Sequence, residues 1–239
     1  MAEVVYPGKD LEAMSFAVNY HKWILDEFRP YIGRKVIEVG AGTGDFSTLL
    51  LNEKIDELSL VEPSEMFEQL STNIASESIS VGFFHNIFAD LAGQFVGTKA
   101  PDTIIYINVL EHIEDDAHEL RLMYDCLVPG GHALIFVPAL PSLYGEFDRQ
   151  IGHFRRYVKK GLNDLATDAG FKVVKAKYFD FVGIFPWFVK YKILGSASLE
   201  SGLIKLYDTV AVPVNKVAES IVTPPIGKNL LFVLEKPAD

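Results

Sequence analysis

Apolar and polar positions along the chain follow two alternating periodicities. Short aliphatic runs of about five residues end at glycine, proline or acidic residues, and amphipathic segments with a helical repeat separate them. This alternation of strand and helix is typical of α/β proteins and predicts a doubly wound sheet. Strands are predicted at residues 35–39, 57–61, 79–84, 103–108, 132–137, 171–178 and 229–235.

Helical periodicity fills the intervals between these strands and extends to two further segments. A leading helix is predicted over residues 9–28, and an aromatic-rich helical insertion over about 181–220. Neither an internal repeat nor a low-complexity linker divides the chain, so we predict a single domain over residues 1–239. The remaining helices are predicted at about 45–53, 64–74, 115–127 and from the end of a long loop, 138–157, to Gly170.

The turn after the first predicted strand carries the clearest chemical signal. Residues 36–46 read Val-Ile-Glu-Val-Gly-Ala-Gly-Thr-Gly-Asp-Phe, which predicts a strand, a glycine-rich turn and the start of a helix. Glycine permits positive φ and lets a ligand approach the backbone closely. A dinucleotide-binding turn would have the spacing Gly-x-Gly-x-x-Gly and would bind pyrophosphate. Here the carboxylates of Glu38 and Asp45 flank the turn and would repel such a group.

A further carboxylate, that of Glu62, ends the second predicted strand, 18 residues after Gly44. An acidic residue at this place can bind both ribose hydroxyls of a nucleoside. Because carboxylates surround the turn, the preferred ligand is a nucleoside with a positive charge. S-adenosylmethionine fits this description.

Four segments together resemble the cofactor motifs of class I S-adenosylmethionine-dependent methyltransferases of the bacterial small-molecule type. They are Glu38-Val-Gly-Ala-Gly-Thr-Gly44, Val61-Glu-Pro-Ser64, Ala89-Asp-Leu91 and Asn108-Val-Leu-Glu-His-Ile113, in the family's order. The resemblance covers roughly residues 15–180 and the last strand. It implies a Rossmann-like sheet of seven strands, mostly parallel with an antiparallel last strand. It also implies methyl transfer, with S-adenosyl-L-methionine as cofactor and S-adenosyl-L-homocysteine as product.

The resemblance further implies a row of cofactor contacts at the carboxyl edge of the sheet. The glycine turn would hold the methionine end, Glu62 the ribose and Asp90 the adenine amino group. Glu38 would bind the ammonium group, directly or through water, or would brace the turn; Met66 would pack on the adenine or belong to the core. The predicted cofactor set is Glu38, Gly40, Ala41, Gly42, Gly44, Glu62, Pro63, Met66, Asp90, Asn108 and Val109.

The loop after the fifth strand, residues 143–157, is the candidate acceptor site, since the family builds its acceptor pocket there. Its cations lie just before a helix, where the helix dipole disfavours them. This arrangement suggests either an anionic acceptor or a buried pair with Asp148. We predict that His153 is the catalytic base and that His112 is the second candidate, although His112 could equally cap or pack against the following helix. The predicted substrate contacts are Tyr144, Arg156 and Tyr157.

Several other functions stay open at this point. A nicotinamide oxidoreductase is disfavoured by the glycine spacing, and an RNA methyltransferase by Asn108-Val-Leu-Glu in place of an Asn-Pro-Pro-Tyr-like motif. A non-catalytic S-adenosylmethionine-binding protein remains as an alternative. No metal is expected, because His112 and His118 would lie on different faces of a helix.

Composition narrows the partners and the compartment. The net charge of −10 argues against general nucleic-acid binding, which needs clustered Lys and Arg. The single cysteine, Cys126, and an N-terminus without a signal-peptide pattern suggest a cytoplasmic protein. We expect a monomer or homodimer that acts on a small molecule. More specifically, we expect the acceptor to be anionic or linked to a lipid or glycan. Residues 181–195 could cap the active site, form a dimer surface or lie peripherally on a membrane.

Overall fold

A single seven-stranded sheet organises the chain. The computed structural model describes residues 17–75, 79–193 and 201–238. The strand order is β3-β2-β1-β4-β5-β7-β6, and β7 runs antiparallel to both of its neighbours while β1 to β5 pair in parallel. This confirms the predicted fold class. The strands are β1 Lys35–Val39, β2 Glu57–Val61, β3 Ser80–Phe84, β4 Thr103–Ile107, β5 His132–Pro138, β6 Lys172–Phe179 and β7 Asn229–Glu235.

Helices cover both faces of the sheet. The α-helices are α1 Val18–Phe28, α2 Asp45–Leu50, α3 Phe67–Asn73, α4 Phe88–Leu91, α5 Asp116–Cys126, α6 Glu146–Gln150, α7 Lys159–Asp168, α8 Ile184–Trp187, α9 Ser201–Leu206 and α10 Val212–Ile221. Short 3₁₀ turns lie at Arg29–Tyr31, Ala92–Gln94, Gly97–Lys99, Leu110–His112 and Pro141–Leu143, and π-helical turns at Phe188–Ile193 and Tyr207–Ala211.

The differences from the predicted elements are local. The predicted leading helix is described from Val18 onward, and residues 9–16 lie outside the described part. The predicted long loop contains α6, whose five residues are too few to show a periodicity. The predicted insertion is helical where it is described, with residues 194–200 outside that part. Assignment of the whole chain to one domain stays a prediction.

Register places the ends of three strands side by side. Val39 pairs with Val61 of β2 on one side and with Tyr106 of β4 on the other. The residues that follow these positions therefore leave the sheet at the same edge. In doubly wound sheets this carboxyl edge is where ligands bind, at the point where the strand order reverses.

The leading helix α1 closes one side of this edge. Its Trp23 is buried and its ring centroid lies 3.8 Å from that of Phe179. Asp208, in the insertion, accepts hydrogen bonds from the backbone N–H groups of Asn19 and Tyr20, at 3.0 and 2.8 Å. These N–H groups belong to the first turn of α1, which has no intrahelical partners for them. The insertion thus caps the helix and fixes its position over the sheet edge.

The insertion also exposes apolar side chains. Phe185, Val189, Val214 and Ile221 are each between 48% and 78% exposed. Within the described ranges, none of the helices has the length and apolar character needed to cross a bilayer.

Candidate active site

A cavity of about 570 Å³ opens at the carboxyl edge of the sheet. Its size falls within the range of about 300–1,000 Å³ that is usual for ligand pockets. One side is lined by the glycine turn and the ends of β2 and β4, and the other by α6, the loop after it and α8. Of the predicted site residues, the lining includes Glu38, Gly40, Ala41, Gly42, Glu62, Pro63, Asn108, Val109, His112, His153 and Arg156.

The glycine turn presents bare backbone to this cavity. Gly40 and Gly42 have φ values of +69° and +58°, a region that costs other L-residues energy. A Cβ at Gly40 would lie 2.4 Å from Cγ2 of Val109, so no larger residue fits there. The turn is therefore kept open to the cavity by both conformation and space.

Glu62 holds the turn from the neighbouring strand. Its carboxylate accepts a hydrogen bond from Gly42 N–H at 2.8 Å, and others from the N–H and hydroxyl of Ser64 at 2.9 and 2.5 Å. The side chain is buried apart from its cavity face, with 6% of the residue exposed. A carboxylate has about four acceptor sites, so bonds to a ligand can join those already made.

Glu38 is the second buried carboxylate of the cavity. Ser47 donates a hydrogen bond to it at 2.6 Å, and the residue is 3% exposed. Burial, opposed by the hydrogen bond from Ser47 and assisted by the nearby carboxylates of Glu62 and Asp45, raises the pKa of Glu38 to about 8. A cation in this cavity would remove the penalty on the ionised form.

The segment after β4 turns sharply into the cavity. Asn108 has a φ of +53°, which asparagine tolerates better than most residues, and its N–H donates to the carbonyl of Phe136 at 2.8 Å. The 3₁₀ turn Leu110–His112 follows directly. This kink directs the segment along the floor of the cavity instead of continuing the strand.

Three predicted cofactor residues do not line the cavity. Gly44 has a φ of +91°, and a Cβ there would meet Ile74 Cγ1 at 2.8 Å, so its role is packing between α2 and α3. Met66 is half-buried at the start of α3, and Asp90 is exposed on the outer face of α4. The role of these three residues as cofactor contacts stays a prediction. The neighbours Ile87, Phe88 and Ala89 face the cavity instead, which the motif around Asp90 did not reveal.

On the opposite side, Asp148 organises the predicted acceptor loop. Its Oδ1 lies 3.0 Å from His153 Nδ1 and accepts a hydrogen bond from Arg156 Nε at 2.7 Å, while Oδ2 accepts one from Gly145 N–H. Burial alone would raise the pKa of Asp148, but these donors hold it below its ordinary value. Because an ionised carboxylate only accepts, His153 carries its proton on Nδ1 when neutral and leaves Nε2 as an acceptor. The sequence suggested either an anionic acceptor or a buried ion pair with Asp148. The structure contains the buried ion pair, between Asp148 and Arg156.

The two predicted tyrosine contacts are turned away from the cavity. Tyr144 donates from its hydroxyl to the carbonyl of His153 at 2.7 Å. Tyr157 is buried and donates to the carboxylate of Asp116 at 2.8 Å. Neither residue lines the cavity, and their expected role as substrate contacts stays a prediction. Both instead hold the loop in shape.

Glu111 is the site residue that sequence reasoning missed. It is fully buried, lines the cavity, and neither carboxylate oxygen has a hydrogen-bond partner. Burial raises the pKa of Glu111 to about 7, although the nearby His153 lowers it somewhat. The backbone of the loop is anchored here, because Phe154 N–H donates to the carbonyl of Glu111 at 2.8 Å. The only signal in the sequence was its place beside His112 in the fourth motif.

His112 is a poor base in this environment. Burial lowers the pKa of His112 to about 3, with a contribution from the charge of His153, while a hydrogen bond to the backbone of Gly152 opposes the change. The two imidazole rings meet edge to face with centroids 4.6 Å apart. The neutral ring of His112 is therefore the form present at neutral pH.

An aromatic wall completes the cavity on the side of the insertion. The Trp187 ring lies 4.7 Å from the guanidinium carbon of Arg156, and its centroid lies 5.4 Å from that of Phe147. All three side chains line the cavity. This part of the insertion therefore borders the cavity, and its role as a cap stays a prediction.

The sequence of the chain matches a known protein family. A family model described as a methyltransferase domain matches residues 20–176, more than half of the chain. The chain belongs to this methyltransferase family. Membership confirms the predicted methyltransferase class. It disfavours the nicotinamide oxidoreductase.

Curated relatives are distant and differ in length. The chain is 25% identical over 236 residues to probable polyketide synthase 41 of Dictyostelium discoideum, covering 83% of this chain and 9% of the relative. It is 27% identical over 130 residues to an uncharacterized methyltransferase of Staphylococcus carnosus (strain TM300), covering 54% of this chain and 58% of the relative. The chain thus spans less than two thirds of the curated relatives it matches.

Solved structures share the fold at low identity. A methyltransferase in complex with the Trm112 activator of Haloferax volcanii superposes with a TM-score of 0.63 at 16% identity, covering 97% of this chain and 95% of the other. Phosphoethanolamine N-methyltransferase 2 of Haemonchus contortus, in complex with S-adenosyl-L-methionine, superposes with a TM-score of 0.62 at 16% identity. The superposition covers 92% of this chain and 52% of the other. These likenesses support the Rossmann-like methyltransferase architecture.

Proposed function

We propose that this chain transfers the methyl group of S-adenosylmethionine to a small-molecule acceptor, and that the cofactor occupies the part of the cavity beside the glycine turn. The observation that carries the proposal is the pair of buried carboxylates, Glu38 and Glu62, on either side of the backbone of Gly40 and Gly42, which lines the cavity. A sulfonium and an ammonium group suit this acidic environment, and a ribose suits the carboxylate of Glu62.

The acceptor would occupy the other half of the cavity, against Phe147, Trp187 and the imidazole of His153. Methyl transfer is an in-line displacement at sulfur, so alignment of the acceptor with the methyl group is the main task of the protein. His153 Nε2 is the best-placed proton acceptor, since Asp148 fixes its tautomer.

The described cations at the cavity give little support to an anionic acceptor. Arg156 is paired with Asp148, and Lys228 lies 2.9 Å from the carboxylate of Asp180. Both charges are therefore already balanced. We favour an acceptor with an apolar part that packs on the aromatic wall, and a lipid-linked acceptor meets this description.

The exposed apolar side chains of the insertion suit a second contact outside the cavity. Phe185 and Val189 lie on the segment whose Trp187 caps the active site. We propose that this segment contacts a membrane surface or a partner subunit while it closes over the acceptor.

Calorimetry with S-adenosylhomocysteine tests the cofactor assignment. Glu62→Ala removes two hydrogen bonds to the ribose, worth about 1–1.5 kcal/mol each, so the affinity should fall roughly ten- to a hundredfold. Glu65→Ala is the matched control, because Glu65 is exposed three residues further on. Unchanged affinity in a folded Glu62→Ala variant would remove the ribose assignment.

A further inference from the structure

Three potential metal ligands meet at the floor of the cavity. Glu111, His112 and His153 each offer one ligand atom, and these atoms all lie within 4.8 Å of one another. Glu111 Oε1 and His153 Nε2 are 3.7 Å apart. Two ligands on one zinc ion at bond lengths of about 2.0–2.2 Å are separated by roughly 3.4 Å in a tetrahedral site. The closest pair of the cluster is thus already near the separation that a shared ion requires.

The carboxylate of Glu111 is the independent observation that points to a ligand. Both oxygens are buried without a hydrogen-bond partner, although they face a cavity. Buried acidic groups are normally paired, hydrogen-bonded or bound to a metal. Packing does not account for an acid at this place, since an apolar residue would avoid the cost of desolvation.

Each imidazole ring is held in place by a further hydrogen bond to the protein. His153 Nδ1 is bound to the carboxylate of Asp148 at 3.0 Å, which leaves Nε2 directed at Glu111. His112 is held by the backbone of Gly152. Metal-binding histidines characteristically donate the second ring N–H to a carboxylate or a backbone carbonyl, and these two residues show both variants.

We propose that Glu111, His112 and His153 bind a divalent transition-metal ion such as Zn²⁺. Two imidazoles and one carboxylate are a known ligand set for zinc and for non-haem iron, and they leave coordination positions for water or substrate. The nearby guanidinium of Arg156 does not prevent binding, because Asp148 balances its charge at 2.7 Å. The ion would lie on the acceptor side of the cavity and would occupy the lone pair of His153 Nε2, so the imidazole would act as a proton acceptor only in the metal-free protein. In the metal-bound protein the ion itself would bind an oxygen atom of the acceptor. That role rests on the proposed function, whereas the metal site does not.

The test measures metal binding alone. The purified full-length chain is stripped with a chelator and titrated with Zn²⁺ by calorimetry, and with Co²⁺ by visible absorption, which reports nitrogen and oxygen ligands directly. One ion should bind per chain. Glu111→Gln keeps the size of the side chain and removes its charge, and it should weaken binding by at least about tenfold.

A surface histidine provides the matched control. His118 is exposed on α5, outside the cluster, so His118→Ala should bind Zn²⁺ as the unchanged protein does. His153→Gln tests the second ligand; if it fails to fold because Asp148 loses its partner, Glu111→Gln still decides. The proposal is overturned if the unchanged protein binds neither ion, or if a folded Glu111→Gln variant binds both as well as the His118→Ala control does.

Discussion

Replacing Glu38 with glutamine should stabilise the ligand-free protein in a manner that depends on pH. The folded protein raises the pKa of Glu38 from 4.5 to about 8, mainly by burial. Below about pH 4.5 the carboxyl is protonated whether or not the chain is folded, so it carries no penalty. As the pH rises toward 8, the unfolded chain releases the proton and the folded one retains it, so stability is lost throughout this interval.

The size of the effect follows from the same two pKa values. Each pH unit between them costs roughly 1.4 kcal/mol, so the free energy of unfolding should fall by up to about 5 kcal/mol through this one group. Glutamine cannot ionise, and its carbonyl oxygen can still accept the hydrogen bond from Ser47. The advantage of Glu38→Gln should therefore be small near pH 5 and several kcal/mol near pH 8.

The affinity for the cofactor should change with pH in the opposite direction to the free energy of unfolding. A cationic ligand favours ionised Glu38, so binding near pH 7 should release up to about one proton and strengthen as the pH rises from about 5.5 to 7.5. Glu38→Gln should bind more weakly and without this dependence.

Urea denaturation near pH 5 and pH 8 gives the stabilities, and calorimetry in buffers of different ionisation enthalpy gives the proton release. Glu65→Gln, on an exposed residue, is the control. The reasoning would be refuted if the difference in free energy of unfolding between Glu38→Gln and the unchanged protein were the same at both pH values.

Three further outcomes are expected. Gly42→Val should abolish cofactor binding while the protein still melts cooperatively, because φ is +58° at this position and the side chain would enter the cavity. Normal binding by calorimetry would contradict the proposal that the cofactor lies against the glycine turn. Tyr157→Phe should lower the free energy of unfolding by about 1 kcal/mol in chemical denaturation, through the lost bond to Asp116, and a stability equal to the unchanged protein's would count against it. The protein should co-sediment with anionic liposomes at low salt, and Phe185→Ser should reduce the sedimented fraction. If no protein sediments at low salt, the insertion does not bind a membrane, and its proposed roles as a cap and as a partner contact remain.

The sheet was predictable from the sequence because its strands are short, apolar and separated by clear stop signals. All seven predicted strands begin within one residue of the observed start. The meeting of Glu38, the glycine turn and Glu62 at one cavity was predictable for a related reason, because they lie within two consecutive β–α units, whose geometry the fold fixes.

The acceptor side was harder to predict because it depends on contacts between distant parts of the chain. Glu111 and His153 are brought together by one backbone hydrogen bond, from Phe154 N–H to the carbonyl of Glu111, which no local pattern announces. The closeness of the His112 and His153 rings was likewise not predictable, because the two residues are 41 positions apart in the sequence. The close packing of Gly44 against Ile74 was also not predictable, because a glycine required for packing has the same appearance in the sequence as one that admits a ligand.

The position of β7 has a consequence for the order in which the chain can fold during synthesis. It follows every other strand in sequence, yet it lies between β5 and β6 and pairs with both. Until residues 229–235 leave the ribosome, β5 and β6 each have an open edge where β7 will insert, and apolar side chains remain uncovered. A nascent chain stalled before this point would carry both edges needed for pairing with other chains. Completion of the sheet is therefore a late event, and aggregation of incomplete chains is the hazard that a chaperone would have to prevent.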